Sequence, residues 1–397
     1  MIGLNLGYHG GIILAEIYFD NSSTTRVCPE AANAVMKAMT ENYGNPSSLH
    51  TKGFLAEQEM RSAREAVASL IGARPEEITF TSGGTESNNL AVFGAAHARK
   101  KRGRRIVTTA IEHPSVLNTV KRLEKDGFEA IYLKPDSEGH ISPEEVKNAI
   151  TPDTILVSMM RVNNEVGSIL PVEAAADAIE EKHAPALLHI DAVQAFGKLP
   201  LRVSGLHCDL MSMSAHKIHG PKGIGALYVR SGVHIEPLTY GGGQEKDLRP
   251  GTESVPLIAG FGAAVKALPD LEAELSAMRS LNHCCREQLA GIEGVTVNSP
   301  DDAFPYILNF SAGNVRAETM LHFLSEKNIF VSSGSACSRG RASHVLKAMG
   351  LPQDRIRSAL RLSFCRYNTK EEATEFFAAL REGLSSLAVQ QLAGGHR

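Results

Sequence analysis

Short apolar segments alternate with amphipathic segments between about residues 29 and 230. Apolar runs bounded by glycine, proline or polar residues predict buried strands at 78–80, 106–110, 130–133, 154–160, 186–191, 209–214 and 225–229. Apolar residues at helical spacing predict helices at 29–42, 55–71, 85–100, 115–126 and 143–150. This alternation is typical of βαβ crossovers and predicts an α/β fold with a mostly parallel sheet covered by helices.

The pattern changes after about residue 265. A long amphipathic segment at 268–290 predicts one helix, and four strand-like segments follow it: VTVN, YILNF, IFVSS and RLSF. Helical segments lie between and after these strands. We therefore predict a second, smaller α+β domain in the C-terminal part of the chain.

Composition narrows the possible classes of function. The 397 residues are 43% apolar and 21% charged, which predicts a large core in more than one domain. A net charge of −3 and one short basic run, RKKRGRR at 99–105, argue against direct contact with nucleic acid. No apolar run reaches the roughly eighteen residues of a membrane span, so we expect no membrane segment. Six cysteines without CxxC or paired spacing predict neither a disulfide framework nor a metal site, and favour a reducing cytoplasm.

Polar or glycine-rich segments come after the predicted strands: TSGGTE, IEHP, VNNE, DAVQ, SAHK and YGGG. Because open α/β sheets bind ligands beyond the carboxyl ends of their strands, these segments predict a site at one edge of the sheet. TSGGTESNN at 81–89 could hold a phosphate on a helix N-terminus, or could be a plain turn capped by Ser82 or Thr85. The Walker A and dinucleotide fingerprints are both absent from the sequence.

Five candidate side chains each have an ordinary alternative. Asp191 could face the protonated ring nitrogen of a cofactor, or cap a helix. Lys217 could be a desolvated amine suited to Schiff-base chemistry or a surface charge, and His113 could stack on a ring and move protons or be structural. Arg361 and Arg366 could hold a carboxylate or form surface pairs. Taken together, these residues match pyridoxal 5'-phosphate (PLP) acting on an amino acid.

Cys337 lies in SSGSACSRG, a segment of serine and glycine without a bulky neighbour. Cysteine is usually a buried residue. A thiol in a polar segment that glycine makes flexible is a candidate for a reactive nucleophile, whose thiolate must be reached by its partner.

Nine motifs occur in a characteristic order: YGNPSSLH, FTSGGTESNN, EHPSV, VNNEVG, HIDAVQ, SAHKIHGPKG, GGGQEKDLRPGT, SSGSACS and RLSF. On these motifs the sequence, from residue 17 to about 375, resembles the PLP-dependent cysteine desulfurases of the NifS/IscS type, in the class V aminotransferase group. The resemblance implies the PLP-dependent transferase fold type I. It also implies a large PLP-binding domain at 27–265, a small α+β domain from 17–26 plus 266–397 that carries the cysteine loop, and an unmatched N-terminal extension at 1–16.

The resemblance implies a role for each matching position. Lys217 would carry the cofactor covalently, and His113 would stack on its ring and help move protons. Asp191 would face the pyridine nitrogen, and Gln194 would contact the ring oxygen. Cys337 would be the nucleophile on a mobile loop.

The other matching positions would bind phosphate or the substrate carboxylate. The phosphate positions are Gly84, Thr85, Ser214 and His216, joined by Thr252 from the other subunit of a homodimer. Asn163 would contact both cofactor and substrate, and Arg361 would hold the substrate carboxylate.

The implied activity is that of an enzyme, a cysteine desulfurase. It would convert L-cysteine to L-alanine and leave a persulfide on Cys337, for a sulfur-acceptor protein in iron–sulfur cluster assembly, tRNA thiolation or thio-cofactor synthesis. Two alternatives stay within PLP enzymes: a selenocysteine lyase and a class V aminotransferase. A third, of another class, is a non-catalytic sulfur-relay scaffold.

Overall fold

The large sheet lies in the N-terminal two thirds of the protein. The computed structural model describes residues 16–333 and 342–394. In this part of the chain, seven strands form the sheet in the order β2-β8-β7-β6-β5-β3-β4. The strands are β2 (Ile78–Thr81), β3 (Arg105–Thr109), β4 (Glu129–Leu133), β5 (Thr154–Met160), β6 (Leu187–Asp191), β7 (Leu210–Ser214) and β8 (Gly225–Val229).

Only one strand of this described sheet, β8, runs against its neighbours. It pairs antiparallel with both β2 and β7, whereas the pairs from β7 across to β4 are parallel. Strands β5, β6 and β7 are buried along their whole length. These pairings confirm the prediction of a mostly parallel sheet. Parallel strands that are covered on both faces typically have short, continuous apolar sequences, which is the pattern that predicted them.

Helices cover both faces of the sheet. They are α1 (Pro29–Thr40), α2 (Thr51–Ile71), α3 (Gly84–Arg99), α4 (Pro114–Lys125), α5 (Pro143–Ala149), α6 (Val172–Glu181) and α7 (Val255–Lys266). Ile106 and Val107 are neighbours on β3 and enter separate core clusters. Because successive side chains of a strand point to opposite faces, the sheet has a core on each side. Val116 and Leu123 of α4 pack in the cluster that contains Ile106.

Two helices that the sequence pattern did not predict are α6 and α7. Helix α7, VPLIAGFGAAVK, is apolar nearly all round, so it has no amphipathic stripe to read. Its glycines allow close packing: a Cβ on Gly262 would lie 2.6 Å from the Cβ of Ala63 in α2, and one on Gly260 would lie 2.5 Å from Val35 in α1. The segment YGGG also differs from expectation, because it lies in an irregular stretch after β8 and not directly after a strand.

The C-terminal part of the described chain builds two smaller sheets. Strands β9 (Val295–Val297), β10 (Ile307–Ala312) and β12 (Ala359–Ser363) form an antiparallel sheet in the order β12-β10-β9. Strand β1 (Ile17–Tyr18) pairs parallel with β11 (Ile329–Phe330). The accompanying helices are α8 (Leu271–Ala290), α9 (Ala317–Glu326), α10 (His344–Ala348), α11 (Gln353–Arg357) and α12 (Lys370–Gly394).

The start of the described chain is joined to this C-terminal part. Asp20 forms a bridge to Ser363, and the Asn21 side-chain amide donates to the Ser363 carbonyl at 2.9 Å. None of the helices within the described ranges is long and apolar enough to cross a membrane. The exact domain limits stay a prediction.

Candidate active site

The predicted site residues follow the carboxyl ends of the large sheet's strands. Asp191 ends β6, and Lys217 lies in a short 3-10 turn, Ala215–Lys217, directly after β7. His113 lies between β3 and α4, and Gly84 begins α3 just after β2. Hydrogen bonds through Asn88 and Ser115 connect Asp191 to His113, and the charge of Lys217 lowers the pKa of His113, so these three groups lie together.

Lys217 is a buried amine. The residue is 9% exposed, and Nζ donates hydrogen bonds to the carbonyl oxygens of Ser22 and, at 2.8 Å, Ser23. The alternative of a surface lysine is therefore wrong. A buried amine held by carbonyl oxygens from a distant segment has a defined position from which to attack a carbonyl carbon.

Asp191 and His113 are held by hydrogen bonds at the same edge. Asp191 is 5% exposed; its Oδ2 accepts from Asn88 Nδ2 at 2.7 Å, and its Oδ1 accepts from the Val193 N–H at 2.9 Å. Burial is the main cause that lowers the pKa of His113, and the Lys217 charge adds to it, although Asp191 opposes both. Neutral His113 is thus the favoured form near neutral pH, and it can both take up and give back a proton.

The N-terminus of α3 has the features of a phosphate site. The helix N-cap is Gly83, with φ +148, and no side chain caps the helix, so the alternative of a turn capped by Ser82 or Thr85 is wrong. A Cβ on Gly84 would lie 2.6 Å from a methyl group of Val193 and 3.6 Å from Ser214 Cβ, so a larger residue here would displace Val193, two residues after Asp191. Helix N-termini with free N–H groups favour anions.

Two polar atoms at this edge of the sheet, at or just after the ends of β6 and β7, are buried without a hydrogen-bond partner. They are Ser214 Oγ and Gln194 Oε1, both on side chains less than a tenth exposed. Buried polar atoms in native structures normally have partners, so these two indicate a ligand with polar groups. His216 completes this part of the site: burial lowers its pKa to about 3, and its Nδ1 lies 3.2 Å from Thr24 Oγ1. The residues present therefore fit PLP.

Arg361 is buried beside the same edge and is not a surface pair. It is 2% exposed, and its guanidinium donates to Asp20 Oδ1 at 2.9 Å, Ser23 Oγ at 2.8 Å and the Asn164 carbonyl at 2.7 Å. Its Nε is buried without a partner. Arg366 lies apart from these groups and donates to the Ala267 carbonyl at 2.8 Å.

The remaining predicted site residues are Asn163, Thr252 and Cys337. Asn163 is fully buried; its Oδ1 accepts from the backbone N–H groups of Glu165 and Val166, and its Nδ2 donates to the Ile111 carbonyl at 2.9 Å. Thr252 is exposed on the single chain. Cys337 lies outside the described residues.

Two buried carboxyl groups of the site were missed by the sequence analysis. Glu112 Oε1 accepts from the Met160 N–H at 2.9 Å and the Thr109 hydroxyl at 2.8 Å, and burial raises its pKa to about 8. Burial likewise raises the pKa of Glu165 to about 7, and Glu165 accepts from the Ser343 hydroxyl. His344 lies 2.9 Å, through Nε2, from the Glu112 carbonyl oxygen. The strings IEHP and VNNE contained both residues, but nothing local shows that they are buried.

Glu112→Gln is expected to make the protein's stability less dependent on pH. The folded protein keeps a proton on Glu112 that the unfolded chain loses above about pH 4.5, so folding binds this proton up to about pH 8. The free energy of unfolding therefore falls as pH rises through that window, and glutamine removes this fall. We expect a gain of about 4 kcal/mol at about pH 8.5 and of less than about 1 kcal/mol at about pH 5, measured by chemical denaturation. Glu144→Gln, at an exposed position, is the control; equal pH dependence in all three proteins would contradict the assignment.

Comparisons with known proteins show the family to which the chain belongs. The family profile "Aminotransferase class-V" matches residues 17–376. "Cysteine desulfurase IscS" from Clostridium botulinum is 43% identical over 366 residues, which cover 90% of this chain and 91% of that relative. "Cysteine desulfurase IscS" from Methanosarcina thermophila is 42% identical over 375 residues, covering 94% of this chain and 92% of the relative.

Solved structures show the same likeness. A structure titled "NIFS-LIKE PROTEIN" superposes with a TM-score of 0.88 at 41% identity, covering 94% of this chain and all of that one. Another, "SspA in complex with cysteine", gives a TM-score of 0.79 at 38% identity over 89% of this chain and all of that one. The predicted fold type I is confirmed by these neighbours. With a family match over most of its length and such relatives along nine tenths of it, the chain belongs to the PLP-dependent cysteine desulfurases of the class V aminotransferase family.

Proposed function

We propose that this protein removes the sulfur atom of L-cysteine, releasing L-alanine and leaving the sulfur as a persulfide on Cys337. The atoms balance: L-cysteine and the Cys337 thiol give L-alanine and a Cys337 persulfide. The observation that carries this proposal is the convergence of buried Lys217, Asp191 and His113 at one sheet edge of a chain whose relatives are named cysteine desulfurases.

Each described side chain would have a defined role. Lys217 Nζ would hold the cofactor covalently and later move the proton at the substrate Cα. The Asp191 carboxylate would keep a proton on the ring nitrogen, while Ser214, His216 and the α3 N-terminus would hold the phosphate. When bound, PLP supplies an electron sink for the electrons released at that carbon.

Substrate binding would rest on Arg361. Its buried Nε lacks a partner, and its other nitrogens are fixed by Asp20, Ser23 and the Asn164 carbonyl. A fixed guanidinium can hold a carboxylate by charge-assisted hydrogen bonds, which orients an amino acid. Asn163, with both ends of its amide engaged, would act mainly by holding the VNNEVG turn in place.

The discriminating experiment offers the purified enzyme three substrates: L-cysteine, L-selenocysteine, and an amino acid with a 2-oxo acid. We expect L-alanine from L-cysteine, with one sulfide per alanine when a reductant removes the persulfide. Turnover of selenocysteine alone would make the protein a selenocysteine lyase, and amino-group exchange would make it an aminotransferase. A protein that binds no PLP would support the non-catalytic scaffold instead.

The enzyme would work as a homodimer. Five large apolar side chains are exposed on α1, α2 and the loop that joins them: Met36, Met39, Tyr43, Leu49 and Phe54. Such a cluster favours a covered interface, and Thr252, exposed on the single chain, would then reach the partner's phosphate site. Sedimentation at low protein concentration tests this: a monomer that still turns over cysteine at the full rate would contradict it.

The sulfur would pass to an acceptor protein for iron–sulfur cluster assembly or a thiolation enzyme. The five cysteines in the described ranges are free thiols, which supports a reducing cytoplasm as the place of action. Persulfide labelled with isotopic sulfur and traced into co-purified proteins would identify the acceptor class.

A further inference from the structure

A buried hydrogen-bond chain joins the two groups that would flank the cofactor ring. Asn88 Nδ2 donates to Asp191 Oδ2 at 2.7 Å and to Ser115 Oγ at 2.8 Å. Ser115 Oγ in turn lies 2.7 Å from His113 Nδ1. Asn88 is 1% exposed and Ser115 is 8% exposed, so water does not compete for these bonds.

The direction of each hydrogen bond follows from its neighbours. The Asn88 amide must point its nitrogen at Asp191, because its oxygen would repel the carboxylate. Both Asn88 N–H groups are then used, and its Oδ1 is buried without a partner. Ser115 Oγ accepts from Asn88 and therefore has its own proton available for His113 Nδ1.

A second donor acts on the same ring nitrogen. The backbone N–H of Ser115 points at His113 Nδ1 at 3.2 Å, and a backbone N–H can only donate. His113 is the N-cap of α4, which fixes this geometry locally. Nδ1 thus meets two donors, so the proton of neutral His113 is on Nε2.

We propose that Asn88 and Ser115 are positioning residues that hold His113 in the tautomer with its proton on Nε2 and tie its ring to Asp191. Nε2 is then the ring nitrogen that exchanges protons in the reaction. The network also opposes protonation of Nδ1, because a second proton there would face two donors. The charged and titratable groups that act on His113 from other elements are Asp191, Lys217 and His344.

One part of this inference rests on the proposed function, namely that the Nε2 proton is used in the reaction. The tautomer itself can be read without turnover, so failure of the network and failure of the proposed function are distinguishable. The position of Asn88 near the site could have been inferred from the string TESNN. Asn88 lies one helical turn after Gly84, so both residues are on the same face of α3.

The experiment measures the imidazole nitrogen chemical shifts of His113, as a function of pH, in holoenzyme and in cofactor-free protein. His113→Gln assigns the signals by their loss. We expect the Nε2–H tautomer in the wild type and a protonation midpoint below that of an ordinary histidine. The backbone N–H of residue 115 still donates to Nδ1 in Ser115→Ala and Asn88→Ala, so we expect Nε2–H to stay the major tautomer there, with a measurable Nδ1–H fraction and a midpoint that moves up. Ser115→Thr keeps the wild-type behaviour because it keeps the hydroxyl.

Turnover gives the second readout. In Ser115→Ala, kcat is expected to fall by about tenfold to a hundredfold, with KM little changed. This loss is part of the rate enhancement that a general acid–base residue supplies. A wild-type His113 with its proton on Nδ1 would overturn the proposal even if no variant folds. The proposal would also be overturned if both alanine variants kept the wild-type tautomer and the wild-type protonation midpoint.

Discussion

Lys217→Ala is expected to abolish L-cysteine turnover and the visible absorbance of bound cofactor. The Lys217 amine is buried and held by the Ser22 and Ser23 carbonyl oxygens, and no surface lysine can replace it there. Loss of both the covalent attachment and the group that moves the Cα proton should lower the rate by more than about a thousandfold.

Two further variants separate the loss of the Lys217 amine from the loss of its positive charge and from general effects of removing a lysine. Lys217→Arg keeps a cation for the two carbonyl oxygens but provides no amine to attack a carbonyl carbon, so we expect it to fold and to stay inactive. Lys100→Ala, at an exposed position in the same chain, should behave as wild type in absorbance and rate. Full activity in Lys217→Ala would show that another amine performs the chemistry.

Cys337→Ala is expected to abolish persulfide and alanine formation while leaving cofactor binding intact. The thiol would accept the substrate sulfur, and alanine has no group that can do so. We expect the variant to keep its cofactor absorbance and to change that absorbance on addition of L-cysteine, with the multiple-turnover rate lowered by at least about a thousandfold.

The matched control is Cys284→Ala. Cys284 is the half-exposed free cysteine on α8, outside the site, and its loss should change neither rate nor persulfide yield. Mass spectrometry after alkylation locates the added sulfur atom in wild type and in each variant. A persulfide on Cys284 that persists in Cys337→Ala would contradict the assignment.

Much of the large sheet could be predicted because it is buried on both faces. Strand β5 was predicted at its observed limits, 154–160, since all seven of its residues are buried and its sequence is one apolar run. Helix α7 could not be predicted in this way, because it is packed closely at Gly260 and Gly262 and has no polar face. The two-residue strands β1 and β11 depend on each other and carry no pattern of their own.

Some site residues could likewise be predicted from the sequence, and others could not. Asp191, Lys217 and the TSGG segment at 81–84 could be proposed from sequence because each lies at or just after the end of a recognisable strand, and the sheet brings strand ends together. Glu112 and Glu165 stood in quoted motifs, but their raised pKa values come from burial, which local sequence does not show. The roles assigned to individual residues stay predictions until the variants above are measured.

By itself, the sequence determined the alternation of strands and helices, the membership of the family, and the types of chemical group available at the sheet edge. These follow from local periodicity and from motifs, which are properties of neighbouring residues. Only the tertiary structure decided what those groups face: the segment at 20–23 supplies acceptors to both Lys217 and Arg361, from 194 or more positions away. Such contacts depend on how the chain closes in space, and no local pattern encodes them.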